Sequence, residues 1–329
     1  MIARYSTGSP RKGSKKRDAK VVVAAIQAYQ PDLIACLCVG WAGELEGLGD
    51  GPWRLAVADS DPAIRDYWCA ANAGGLHAAA TCARKLWETA LEIVSEEDEV
   101  AAAKTLRKKK SPRPEEKARV FAAWTHLRKQ SDRFVAAASH NLVLGAWAIA
   151  VGAGANRGGW RLNSKGEFNF PYSPGYDPEF LLRRIFGGKE WEENAKAADE
   201  FTRGRVESIG EDWREGVESA WAGLSAGRKV WLCADPPYGS VHGVALYDGG
   251  WSNAERDALA WNCRELVRVG AKSVFWCGAN DLESWAAPDS KIAWTYRATK
   301  TLVKAARIKD DGSEEPARYG PGGYFGLAV

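Results

Sequence analysis

The chain has 329 residues, 46% of them hydrophobic and 26% charged, which is enough to bury a core in one large domain or two modest ones. A formal net charge of only +3 means that no basic tail dominates, so contact with a polyanion has to come from a local basic face. The seven scattered Cys include no Cys-x-x-Cys pair and no Cys/His grouping at zinc spacing. That pattern disfavours a disulfide scaffold or a zinc finger, and it points to a reducing, cytoplasmic setting without bound metal.

Met1 to Lys20 is basic and polar and lacks the apolar stretch of a signal peptide. Leu33 to Val39 is a short apolar run suited to a strand buried on both faces, with Cys36 and Cys38 as buried thiols. Gly40-Trp41-Ala42-Gly43 then suits a tight turn. Arg54 to Ala58 repeats the pattern and ends on Asp59. Two such strands, about twenty residues apart, suggest the opening of a Rossmann-like sheet.

The middle of the chain reads as helical. Leu76 to Ser95 and Glu115 to Asp132 are helices separated by a charged, proline-broken linker at Lys108 to Pro114. Phe134 to Ala155 is nearly long enough to span a bilayer, but His140, Asn141 and several Gly favour a buried core helix. Trp160 to Tyr172 suits a hairpin or ordered loop, and Tyr176 to Leu224 one or two helices.

Sheet character returns at Val230 to Ala234, a strand that must stop at Asp235-Pro236-Pro237-Tyr238 because consecutive prolines cannot continue a central strand. A loop follows over Gly239 to Gly250. Ser252-Asn253-Ala254-Glu255 is a capping box that opens a helix reaching about Val269. Further strands are expected at Ser273 to Cys277, around Ile292 to Tyr296, and at Tyr324 to Val329. The order is sheet, insert, sheet, so residues 1–75 and 225–329 are expected to form one α/β domain interrupted by an insert over 76–224.

Asp235 to Tyr238 carries the chemistry. At the carboxyl end of a parallel strand the tetrapeptide lies where open sheets place ligands. An aromatic amine is a poor nucleophile because its lone pair is delocalised into the ring. The Asp235 carboxylate and the Pro236 carbonyl can accept its two hydrogens, and Pro237 helps to fix that carbonyl's direction. Tyr238 offers a face on which an extruded base can stack.

These residues and their order resemble the Dam-like family of DNA adenine methyltransferases. Tyr247, Trp251, Leu259 and Ala260 fall where that family has Tyr, Phe, Leu and Ala, and Asn280-Asp281 is similar to its Ser-Asn-x-Asp. Arg161-Leu162-Asn163-Ser164-Lys165-Gly166-Glu167-Phe168-Asn169-Phe170-Pro171 looks like its Arg-x-Asn-x-x-Gly-x-Phe-Asn-x-Pro element. The resemblance implies a Rossmann-like S-adenosylmethionine-dependent methyltransferase sheet, seven-stranded with one reversed strand near the end, and a mostly helical target-recognition insert. It implies S-adenosylmethionine as cofactor and double-stranded DNA as partner. Asp235, Pro236, Pro237 and Tyr238 would be catalytic. Tyr5, Lys12 (or Lys16), Gly40, Trp41, Gly43, Asp59 and Asp235 would bind the cofactor, and Arg157, Arg161, Asn163, Lys165 and Asn169 the DNA.

The family's Glu-Pro-Phe-x-Gly-x-Gly is replaced here by Cys36-Leu37-Cys38-Val39-Gly40-Trp41-Ala42-Gly43, without the acid and with Ala42 or Gly43 at the second glycine. Two alternatives therefore stand beside the main reading. One is an amino-methyltransferase acting on another base, on RNA or on a protein amide. The other is a DNA-binding relative that no longer binds cofactor. His242 is expected to be an exposed loop residue, and most of the sixteen Trp to be core.

Overall fold

A computed structural model describes residues 15–40, 42–45, 47–109, 111, 113–130, 141–154, 168, 191–236, 252–277, 294–304, 307–308, 314–315 and 318–328. Its layers follow from alternation within short apolar strands. In β1 (Leu33–Leu37), β2 (Arg54–Ala58) and β4 (Val230–Ala234) successive side chains point to opposite faces, and both faces are covered. Ile34, Cys36, Leu55, Val57, Trp231 and Cys233 enter one core cluster. Leu33, Ala35, Leu37, Ala56, Leu232 and Ala234 enter the other.

With β3 (Val206–Gly210), β5 (Lys272–Cys277), β6 (Trp294–Lys304) and β9 (Arg318–Ala328), these strands form a seven-stranded sheet in the order β3-β2-β1-β4-β5-β9-β6. The five strands from β3 to β5 pair in parallel, while β9 runs antiparallel to both of its neighbours. One reversed strand is thus wedged between β5 and β6. The short strands β7 (Arg307–Ile308) and β8 (Glu314–Glu315) pair only with each other. The architecture is α/β with a parallel core sheet, compatible with a Rossmann-like fold.

On the first face lie α1 (Lys15–Tyr29) and α2 (Pro62–Ala73), joined by α3 (Leu76–Glu92), α4 (Glu96–Lys108), α5 (Pro114–Arg128), α6 (Asn141–Gly154) and α7 (Trp191–Thr202). Apolar residues from all seven helices belong to the same cluster as the sheet face. The helical insert is therefore continuous with the sheet's own core. Asp199 on α7 accepts from the backbone N–H groups of Leu76 and His77, capping an α3 whose own cap residue, Gly75, offers no side chain. The apolar helix α6 is buried as expected, with Ala146 to Val151 all at 1% exposure or less. Three indole N–H groups tie it in: Trp87 donates to the Ala150 carbonyl, Trp124 to that of Val151, and Trp147 itself to Leu127, at 2.9–3.1 Å. Among the described residues no helix is long and apolar enough to cross a membrane.

The second face carries α8 (Trp213–Ser225) and α9 (Asn253–Arg268). Here the structure departs from the sequence reading, which ran Tyr176 to Leu224 as helices alone. Val206–Gly210 is an edge strand beside β2, and α8 returns the chain along β1, so the sheet layer takes back 206–224 from the 76–224 stretch. Only its end residues are buried, and the polar Glu207 and Ser208 interrupt it, so the strand lacks a continuous apolar run. Helices α1 and α4 likewise have no counterpart in the sequence reading. Glu255 N–H donates to Ser252 Oγ at 3.1 Å, the cap expected of α9.

Helix α8 approaches the sheet through small residues. A Cβ at Gly216 would stand 2.5 Å from Leu37 Cδ2 and 3.4 Å from Ala58 Cβ, at the carboxyl ends of β1 and β2. Gly216→Ala is therefore expected to destabilise the chain by about 1–2 kcal/mol by overpacking, although Ala is the better helix former by about 1 kcal/mol. Chemical denaturation of the two proteins checks this, and a stabilised variant would mean that α8 is free to shift outward.

Candidate active site

The parallel register brings three chain segments to one edge. Leu37, the last residue of β1, pairs with Ala58 on one side and Ala234 on the other. The residues just beyond, Gly40, Asp59 and Asp235, therefore emerge side by side from β1, β2 and β4. Backbone bonds stitch the edge: Val39 N–H donates to the Ala58 carbonyl at 2.8 Å, and Asp235 N–H to that of Leu37 at 3.4 Å. From β1 the sheet order runs to β2 and β3 on one side and to β4 and β5 on the other. The crevice beyond β1 and β4 is thus the topological switch point, where open parallel sheets bind ligands.

The turn after β1 is built by left-handed backbone. Cys38, Gly40 and Ala42 have φ of 59°, 47° and 47°. Cys38 is the first residue to leave the strand and is half-buried, unlike fully buried Cys36, which corrects the expectation that both thiols are core. Gly40 is held at both ends, its N–H donating to Asp59 Oδ2 at 2.8 Å and its carbonyl accepting from Trp68 Nε1 at 2.9 Å. A Cβ at Gly40 or Gly43 would meet no atom within 4 Å, so open space lies over both glycines. This fits a group that approaches the backbone closely, as a cofactor does at a glycine turn.

Asp59 is the electrostatic centre of the edge. Its Oδ1 accepts from Asp61 N–H at 3.0 Å while Oδ2 takes Gly40 N–H. Arg65 braces the bend by donating to the carbonyls of Asp59 and Ser60. Burial pushes the Asp59 carboxyl up to about 6, with the Asp61 charge adding to the rise and the two N–H groups and Arg65 opposing it. Each oxygen keeps a second acceptor site, so ligand hydroxyls can still be bound. Sequence reading singled out Asp59 but missed Trp68 and Arg65, whose roles depend on α2 folding back over the turn.

Among the predicted catalytic residues, Asp235 is half-buried directly after β4 and Pro236 is buried. Pro237, Tyr238, Trp41, Tyr5, Lys12 and Lys16's side chain lie outside the described residues, as do Arg157, Arg161, Asn163, Lys165, Asn169 and His242. From the 161–172 element only Phe168 is described. It is buried edge-on against Trp124 of α5, with ring centroids 6.0 Å apart. Leu259 and Ala260 are fully buried in α9. Of the tryptophans that are described, Trp221 and Trp261 are exposed, whereas Trp68, Trp87, Trp124, Trp147, Trp191, Trp231 and Trp276 are fully buried.

No protein-family model matches the chain, and no curated protein matches it either.

The raised Asp59 group has a thermodynamic signature. Its folded pKa, about 6, lies above its ordinary value of 3.8, so the folded chain binds the extra proton between those values. Stability from this group is complete below the unfolded pKa and is lost as pH rises through about 6. The stability difference between wild type and Asp59→Asn should therefore move against wild type by about 1–3 kcal/mol from pH 4 to pH 7. Denaturant titrations at several pH values measure it, and a flat difference would mean that Asp59 is well solvated.

Proposed function

We propose that this chain is an S-adenosylmethionine-dependent methyltransferase that methylates the exocyclic amine of adenine in DNA. The observation carrying the reading is the convergence of Gly40, Asp59 and Asp235 at the β1–β4 switch point. Asp235-Pro236 leaves its strand beside a glycine turn and an acid-bearing strand end, the arrangement that cofactor-dependent transfer to a base amine needs. The seven-stranded sheet with one reversed strand gives further support, because it is the sheet that the sequence resemblance implies.

Gly40 and Gly43 would let the cofactor lie against the backbone, and Asp59 would accept its ribose hydroxyls. Bound there, S-adenosylmethionine supplies a methyl group already activated by its sulfonium. The chain's own part is positioning. The Asp235 carboxylate and the Pro236 carbonyl take the two amine hydrogens and turn the nitrogen's lone pair toward the cofactor side. The same carboxylate is the nearest acceptor for the proton that the nitrogen sheds. Tyr238 stacks on the extruded base, and within the recognition insert Arg161 and Asn163 contact phosphates, which positions the DNA without itself reading sequence.

A second reading is favoured by one feature: the segment leading out of β1 reads Cys36-Leu37-Cys38-Val39-Gly40-Trp41-Ala42-Gly43, without the acid of the resembling family. A DNA-binding relative without cofactor affinity would look like this.

The deciding assay is transfer of labelled methyl from S-adenosylmethionine to unmethylated duplex DNA, with digestion to nucleosides. We expect label in methyladenine at a defined motif, and Asp235→Ala to slow transfer at least about 100-fold. Label in another base would move the assignment to a different amino-methyltransferase. No transfer, together with no cofactor binding by calorimetry of the folded protein and with DNA binding retained, would favour the second reading.

A further inference from the structure

Beneath the glycine turn is a cluster that no linear spacing announces. Cys36 on β1 and Cys233 on β4 are register partners, and both point to the first face of the sheet. The turn Gly43–Leu45 folds back over them and brings in Glu44. All three side chains are buried, at 1%, 2% and 4% exposure, and their donor atoms lie within 4.8 Å of one another.

We propose that Cys36, Cys233 and Glu44 bind a thiophilic divalent cation, with zinc the metal best suited to this donor set. Two sulfurs and a carboxylate oxygen suit zinc rather than the oxygen-seeking calcium or magnesium. Tetrahedral ligation with zinc–sulfur bonds of about 2.3 Å places two thiolates about 3.8 Å apart, within reach of small rotations in this cluster. Three protein donors leave the fourth position to water.

One feature is otherwise costly. The indole N–H of Trp231, on the same face two residues before Cys233, is buried without a hydrogen-bond partner among the described residues. A metal-bound thiolate at Cys233 would accept that N–H, as groups surrounding a metal site commonly do. Metal binding would expel the two thiol protons. The bound ion would clip β1 to β4 and to the 43–45 turn, fixing the glycine turn from below.

The inference does not rest on the methyltransferase reading, and its test needs no activity assay. The full chain, purified without chelator, should carry about one equivalent of zinc by elemental analysis. After metal removal, cobalt(II) should give a thiolate-to-cobalt charge-transfer band. Cys36→Ser and Cys233→Ser should each abolish the band, Glu44→Gln should weaken cobalt binding at least about tenfold, and Cys263→Ser, on the opposite face, should change neither. Should the serine variants not fold, alkylation of wild type read by mass spectrometry replaces them, with zinc expected to protect Cys36 and Cys233. A folded wild type with no zinc and no band, or with a band that survives both serine substitutions, or with thiols that zinc leaves unprotected, would overturn the proposal.

Discussion

Everything in this molecule depends on β1 being a strand with no exposed face. Its five residues are fully buried, it pairs in parallel on both edges, and it therefore tolerates only apolar or small side chains. Covering both faces obliges the chain to supply helices on each side. Leaving such a strand obliges it to turn abruptly, which it does through three left-handed residues in five. The open glycine positions, the clamp on Gly40 and the approach of Asp235 all follow from where that strand stops.

The sheet was legible where burial on both faces leaves a continuous apolar run, as in β1, β2 and β4. It was illegible where partners lie far along the chain. Strand β3 is stabilised by β2 across an intervening stretch of helices, so its own residues need little hydrophobic signal. At the candidate site, Asp235 and Asp59 could be found because each ends an apolar run. The company they keep could not, because Trp68, Arg65 and Glu44 arrive through tertiary folding. The thiol pair shows the same limit: Cys36 and Cys38 look alike in the sequence, yet a single positive φ separates a core position from a half-buried turn residue.

The helical insert illustrates how polar aromatic side chains organise an alanine-rich core. Small residues on α6 let neighbouring helices approach closely, and a Cβ added at Gly145 would stand 3.5 Å from the backbone of Asp66 and Tyr67 on α2. Indoles fill the remaining volume and spend their N–H groups on carbonyls near the ends of α5 and α6. An insert locked in this way transmits displacement to α2, whose Trp68 and Arg65 hold the glycine turn and the Asp59 bend. The helical layer and the turn at the sheet edge are thus joined through α2.

The reversed strand sets the order in which the fold can be completed. Strand β9 lies between β5 and β6, although both precede it in the chain. During synthesis the ribosome releases β5 and β6 first, and each then presents an unpaired edge awaiting a strand not yet made. Such edges are templates for wrong partners, including neighbouring nascent chains. Closure of the last gap also needs a glycine at 326, since a larger side chain would collide with the Phe275 ring. The same insertion makes the far edge of the sheet the last part to form, while the switch-point strands β1, β2 and β4 can pair before it exists.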